Sequence, residues 1–254
     1  MNMEKFSLDF FKLDGKVAIV TGGNTGLGMA YVEALAAAGA DVLVTTFDNN
    51  TEEVKNIVES LGRKIVFVQG DLTKKETRDK VVSTCLEEFG KIDILVNNAG
   101  ISTIGLFMDT SKDDIDNVMG INILGAMYLS KHALTHMISK GKGNIINISS
   151  IWGDVGASCE VVYSSSKGAI NLFTKSLAKE VAPMGVRVNA IAPGVINTEM
   201  NSFLCEDEKN ELEEEIPMGR FGEADEIGKL VAFICNDSCK YLTGQVIKVD
   251  GGLI

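Results

Sequence analysis

Tyr163 and Lys167 stand four residues apart in Tyr163-Ser164-Ser165-Ser166-Lys167, a spacing that sets a phenol beside an ammonium on one helical face. A phenol ionises near pH 10 and is a poor base at neutral pH, but a neighbouring cation favours the phenolate, at about 1.4 kcal/mol per pKa unit. The pair can exchange a proton with a substrate oxygen. The same spacing also suits a plain helix-surface contact, so its meaning depends on what else converges there. Ser150 lies upstream at the end of an apolar run, where a hydroxyl can hold a carbonyl oxygen or simply begin a loop. Asn122, inside the apolar stretch around Ile121 and Ile123, needs partners and is either a structural hydrogen-bonder or part of a polar relay. Thr21-Gly22-Gly23-Asn24-Thr25-Gly26-Leu27-Gly28 follows a short apolar run and precedes an Ala-rich segment. Glycines there let the backbone close on an anion, and the start of a helix favours negative charge, although an ordinary tight turn also wants glycine.

These side chains need elements to hold them at one edge. From Lys16 to about Asp250, short β-branched runs alternate with longer segments of helical period, the pattern of consecutive βαβ units. Strands are predicted at 16–21, 41–46, 64–70, 92–98, 144–150, 186–193 and 245–250. Helices are predicted at about 26–39, 51–61, 74–89, 112–140, 162–182 and 223–236, with Gly39, Gly62, Gly90 and Gly141 at their ends. The expected fold is α/β: one doubly wound sheet of seven mainly parallel strands with helices on both faces, residues 1–254 forming a single domain. The alternation stops at 199–222, where Glu206 to Glu215 is strongly acidic; a solvated helix face and a substrate-side flap are the two readings.

The balance of the 254 residues excludes several functions. A net charge of −11 opposes nucleic acid as a partner. No apolar run approaches the roughly 18 residues of a membrane span, and the opening MNMEKFSLDF does not read as a signal peptide, so a cytoplasmic protein with no membrane partner is expected. Five scattered cysteines fit reduced thiols. His132 and His136 share a face but no acidic third ligand stands near them in sequence, and Cys235 with Cys239 makes only a bare pair, so no metal is expected.

Taken together, TGGNTGLG, Asp71, NNAG, Asn122, Ser150, YSSSK and PGVINT resemble the classical short-chain dehydrogenase/reductase family, in its order and spacing from Lys12 to Ile254. The resemblance implies a Rossmann-type sheet and an NAD(P)-dependent oxidoreductase that interconverts a secondary alcohol and a ketone. It implies Tyr163 as general acid/base, Lys167 lowering its pKa while binding the nicotinamide ribose, Ser150 orienting the substrate oxygen and Asn122 holding a relay water. Gly22, Asn24, Thr25, Gly26, Leu27 and Gly28 would lie against the pyrophosphate. Asp71 and Leu72 would flank the adenine, Asn98, Ala99 and Gly100 its ribose, and Pro193, Gly194, Ile196 and Thr198 the nicotinamide carboxamide.

Cofactor choice turns on the end of the second strand, Thr45-Thr46-Phe47-Asp48-Asn49. Thr46 stands where the family usually has an acid, Asp48 is close by, and no Lys or Arg occupies this loop or the glycine turn. NAD is favoured over NADP, with Phe47 and Asp48 beside the adenine ribose. For substrate, FSLDFFKLDGKVAIVTGGNTGLG is similar to gluconate 5-dehydrogenases and 2-dehydro-3-deoxy-gluconate 5-dehydrogenases, whereas SSIWGDVGASCEVVYSSSKGAIN and EEEIPMGRFGEADEIG are similar to 3-oxoacyl thioester reductases. A small or medium-sized substrate such as a sugar acid is expected, because a −11 chain repels an acidic carrier protein. A 3-oxoacyl thioester, a hydroxysteroid, and a dinucleotide-binding sensor or scaffold without turnover are the alternatives. Trp152 and Cys159 are expected to line the substrate side with Ser150 and Tyr163. The apolar faces of 112–140 and 162–182 point to a homotetramer or homodimer.

Overall fold

Short β-branched runs become strands here because the helices between them cover both of their faces. A computed structural model describes residues 11–201 and 204–254. The first half runs β1 (Val17–Thr21), α1 (Gly26–Ala37), β2 (Asp41–Thr46), α2 (Glu52–Ser60), β3 (Ile65–Gln69), α3 (Lys75–Phe89) and β4 (Ile94–Asn97). It continues with α4 (Lys112–Met119), α5 (Ala126–Ser139), β5 (Gly143–Ile148), α6 (Trp152–Val155), α7 (Val161–Val181), β6 (Val186–Pro193), α8 (Glu206–Glu215), α9 (Ala224–Cys235) and β7 (Val246–Val249). The opening MNMEKFSLDF, including the first part of the sugar-acid-like stretch, and residues 202–203 of the 199–222 segment lie outside the described residues.

The seven strands form one sheet in the order β3-β2-β1-β4-β5-β6-β7, and every neighbouring pair is parallel. Side chains alternate along each strand. Ala18 and Val20 face a core shared with α1, α2 and α9, while Val17 and Ile19 face one shared with α3, α5 and α7. Leu95, fully buried in the second core, would cost about 2–5 kcal/mol if cut to Ala. No helix among the described residues is long and apolar enough to cross a membrane.

Strand order reverses between β1 and β4, and open α/β sheets hold their ligands at such a point, beyond the carboxyl ends of the strands. Thr21 ends β1, Asn98 follows β4 and Ser150 follows β5 at that edge.

Two local differences matter there. The continuous helix expected at 112–140 is broken by a π-helical turn, Gly120–Gly125, between α4 and α5. Periodicity does not register such a turn, because apolar residues continue through it; here it carries Asn122, whose side chain bonds outside its own helix. The 199–222 segment contains an exposed helix, α8, so the solvated face is present, and the extra turn α6 follows Ser150.

Candidate active site

At the tip of β1 the chain closes on itself. A Cβ on Gly28 would lie 1.9 Å from the carbonyl oxygen of Gly22, so the turn tolerates no side chain there. The Asn98 side-chain amide donates to the carbonyls of Thr21 (2.9 Å) and Gly22 (3.0 Å), while the Thr21 hydroxyl accepts from the amides of Asn98 and Ala99 (both 2.9 Å). The tips of β1 and β4 are thereby locked together. Gly26, at φ +51°, faces open space, Thr25 offers α1 no side-chain cap, and the first turn of α1 carries no acid. A pyrophosphate fits this cradle: open backbone, a helix start, and nothing negative in the turn.

Beyond β4, Asn122 accepts from the amide of Ile101 (2.8 Å) and donates to its carbonyl (2.9 Å) and to the Ser166 hydroxyl (3.0 Å). A Cβ at Gly100 would stand 3.3 Å from Asn122 Oδ1 and 3.4 Å from Lys167 Nζ, so these three residues meet in one place. Asn122 thus ties the β4 loop to α7.

Lys167 is buried and donates to the carbonyl of Ile148, the last residue of β5, at 2.9 Å. Its Nζ stands 5.4 Å from the centre of the Tyr163 ring. Among the described residues no carboxylate pairs with it, and burial pulls its pKa down to about 8. Burial pushes the Tyr163 phenol up to about 12; a hydrogen bond with Ser150 works against that rise and the charge of Glu160 adds to it. Burial thus acts on both groups in opposite directions, drawing the ammonium down and the phenol up. Ser150 Oγ also accepts from the Trp152 amide at 3.2 Å.

The remaining positions divide. Gly194 packs on Asp250, Ile196 is buried and bridges Gly222, and Thr198 is half-buried beyond the β6 tip that Pro193 ends. Both carboxylate oxygens of Asp71 accept from Thr73 at 2.8 Å; burial alone would raise its pKa, but these bonds hold it below the usual value. The Leu72 carbonyl accepts from Arg78. Thr46, which ends β2, is buried; past it Phe47 is 81% exposed and Asp48 accepts from Asn24 at 2.9 Å. Cys159 is half-buried in the left-handed region at φ +62°, and its carbonyl accepts from Gly105, joining the loops after β4 and β5.

A family model described as Enoyl-(Acyl carrier protein) reductase matches residues 22–254. The chain belongs to the short-chain dehydrogenase/reductase family. As a member it is a nicotinamide-dinucleotide-dependent oxidoreductase acting on CH–OH groups. It is 41% identical to 3-oxoacyl-acyl-carrier-protein reductase FabG of Aquifex aeolicus, over 95% of this chain and 98% of that one. It is 36% identical to the uncharacterized oxidoreductase YgcW of Escherichia coli, over 100% and 98%. A solved chain from Agrobacterium tumefaciens, provisionally named a gluconate dehydrogenase, superposes with a TM-score of 0.92 at 32% identity, over 96% and 98%.

Within this family member the sequence reading missed Glu160 and Ser102. The Ser102 hydroxyl donates to Glu160 Oε2 at 3.2 Å, on the same side as the phenol. The signal was available: Glu160 precedes Tyr163 by three residues, one helical turn. His132 Nδ1 lies 3.2 Å from Asp79. Asp79 is an acid brought close by packing of α3 on α5, which linear spacing does not show. Among the described residues no group of three or more His, Cys, Asp or Glu could hold a metal.

Proposed function

We propose that this protein interconverts a secondary alcohol and a ketone, with Tyr163 exchanging the proton at the substrate oxygen. The observation that carries this is the convergence of Ser150, Tyr163 and a buried, acid-free Lys167 where β5 ends. When bound, the dinucleotide supplies the carbon that gives or takes hydride and, in its oxidised form, a positive ring beside the phenol. Thr21 to Gly28 hold its pyrophosphate, Asp71 and Leu72 its adenine, and Asn98 to Gly100 with Phe47 and Asp48 its adenine ribose. Pro193, Gly194, Ile196 and Thr198 surround the carboxamide, and Lys167 binds the nicotinamide ribose. Ser150 orients the substrate oxygen between its hydroxyl and the phenol, and Asn122 holds a water that carries the proton outward. A phenol held near 12 is protonated at neutral pH and suited to donate during ketone reduction. Alcohol oxidation needs the phenolate, so it should climb with pH while ketone reduction falls.

NAD is the proposed cofactor. Asp48, fixed by Asn24, sets a negative charge where a 2′-phosphate would lie, and no cation from the β2 tip or the glycine turn offsets it. Residues 199–222 form the proposed substrate-side flap. The segment leaves and rejoins the sheet edge at one point, because Ile196 bridges Gly222 and the Asn197 amide donates to the Gly222 carbonyl at 2.8 Å. Trp152 and Cys159 line the same side. Exposed Leu124, Met127, Tyr128 and Leu172 give the helices around 112–140 and 162–182 an apolar face for a homodimer or homotetramer, which a monomeric sedimentation profile would refute.

The proposed substrate is small or medium-sized, such as a sugar acid. A 3-oxoacyl thioester is the second reading, favoured by the FabG relative and by exposed Leu106, Phe107 and Met108 on the loop that Gly105 ties to Cys159. The test is a screen of sugar acids, 3-oxo thioesters and hydroxysteroids with NAD(H) and NADP(H), with Tyr163→Phe alongside. Turnover favouring NAD(H), lost in Tyr163→Phe while dinucleotide still binds, is expected. Binding without turnover of any alcohol or ketone would make the chain a sensor instead.

A further inference from the structure

Glu160 is the carboxylate closest in chain to the phenol, and its setting is unusual for a residue that merely starts a helix. It occupies the N-cap position of α7, where a side chain ordinarily accepts from the first free amides of the helix. Its side chain caps nothing. Instead Oε2 accepts from the Ser102 hydroxyl, which projects from the loop that follows β4. The residue is half-buried, lies one turn before Tyr163, and its charge acts on the phenol. Burial also raises its own pKa. A carboxylate partly withdrawn from water, turned from the helix it could cap and held by a single hydroxyl, has acceptor capacity left for a ligand.

We propose that Glu160, anchored by Ser102, selects substrates by the group on the carbon next to the reacting one, accepting a hydroxyl or ammonium donor and rejecting a carboxylate. The inference rests on the alcohol–ketone reading and narrows it. The reacting oxygen lies at Ser150 and Tyr163, so the neighbouring substituent comes within reach of the side chain one turn away. A hydroxyl or ammonium there restores a donor that burial has removed, whereas a carboxylate would set two like charges together in a partly desolvated space. A polyol whose acid group lies several carbons away meets this rule. A 3-oxoacyl thioester, which has no donor beside its ketone, leaves Glu160 without a partner.

The experiment compares the vicinal diol, the amino alcohol and the hydroxy acid of one carbon skeleton as substrates of the wild type, Glu160→Gln and Ser102→Ala, with saturation-transfer NMR of the same compounds as the binding measurement. In the wild type the amino alcohol should exceed the hydroxy acid in kcat/KM by at least about tenfold, a like-charge contact costing more than the 1.4 kcal/mol that tenfold represents. Glu160→Gln should erase or invert that ratio, and Ser102→Ala should shrink it. An unchanged ratio in Glu160→Gln, with the variant folded and binding the compounds, overturns the proposal while leaving the alcohol–ketone reading intact. Absence of nicotinamide-linked turnover with every skeleton overturns both.

Discussion

Where the strands begin, Lys16 and Lys142 share Asp237 at 2.9 and 2.7 Å, and Asp93 accepts from the amide of Val17. Arg187 donates to the carbonyls of Ile234, Asn236 and Leu242, two of which close the end of α9. Where the same strands end, Lys167 holds only a carbonyl, the neighbouring phenol is pushed up by burial, and Cys159 sits in a left-handed conformation. One sheet therefore satisfies its charges at one edge and leaves them costly at the other. The first arrangement stabilises the fold, and the second keeps proton-exchanging groups ready at some expense of stability.

Lys167→Met should break that contrast most visibly. Turnover should fall by at least about a hundredfold, the scale of lost acid–base assistance. Stability should move the other way. A pKa lowered from 10.5 to about 8 corresponds to roughly 3 kcal/mol of charge-burial cost, partly offset by the partner lost to the Ile148 carbonyl. Because the folded value lies below the unfolded one, the cost is fully present below about pH 8 and vanishes as pH rises toward 10.5. Chemical denaturation should show Lys167→Met gaining about 1 kcal/mol at pH 7, with the gain shrinking across that window. A uniform loss at all pH values would mean that Lys167 serves the fold. Arg187→Met at the opposite edge should cost about 2 kcal/mol and leave kcat unaltered, since it strips a half-buried guanidinium from three carbonyls remote from the β5 tip.

Gly28→Ala probes the joint between fold and site. The added carbon meets the Gly22 carbonyl at 1.9 Å, so the turn must open, at about 2 kcal/mol. Dinucleotide affinity by fluorescence titration should drop with it. Unchanged affinity would show that the turn is only a turn.

Much of this contrast was legible in the residues themselves. Strand positions follow from β-branched runs that alternate between two cores, and Tyr163, Lys167, Ser150 and Asn122 come together as their spacing and the family resemblance imply. What sequence could not show was the balance of desolvation against charge. Burial draws the Lys167 ammonium down and the Tyr163 phenol up, and no linear pattern reports depth. The π turn at Gly120–Gly125 was hidden because its residues keep an apolar rhythm, whereas Glu160 was legible from its spacing to Tyr163 but reads as an ordinary helix start. His132 with Asp79 and Asn24 with Asp48 are contacts between separate elements, which periodicity cannot pair.

Asp237→Asn gives the smallest effect and the most specific one. Burial would raise the Asp237 pKa, but hydrogen bonds from Lys142 and Lys16 outweigh it and hold the carboxyl below its ordinary range. A depressed folded value means that the pair stabilises the native chain above the usual carboxylate pKa and ceases to do so as pH falls through the folded value. The two lysines differ: burial lowers Lys16, whereas the bond to Asp237 raises Lys142. Neutralising the acid leaves two ammonium groups facing each other, yet about half of the Asp237 side chain is open to water, so screening should limit the loss to about 1 kcal/mol at pH 7. Denaturation curves of wild type and Asp237→Asn should converge at acid pH, where the carboxyl is protonated and resembles the amide. A difference that persisted there would place the effect in packing, and the edge where the strands begin would then owe its stability to shape more than to paired charge.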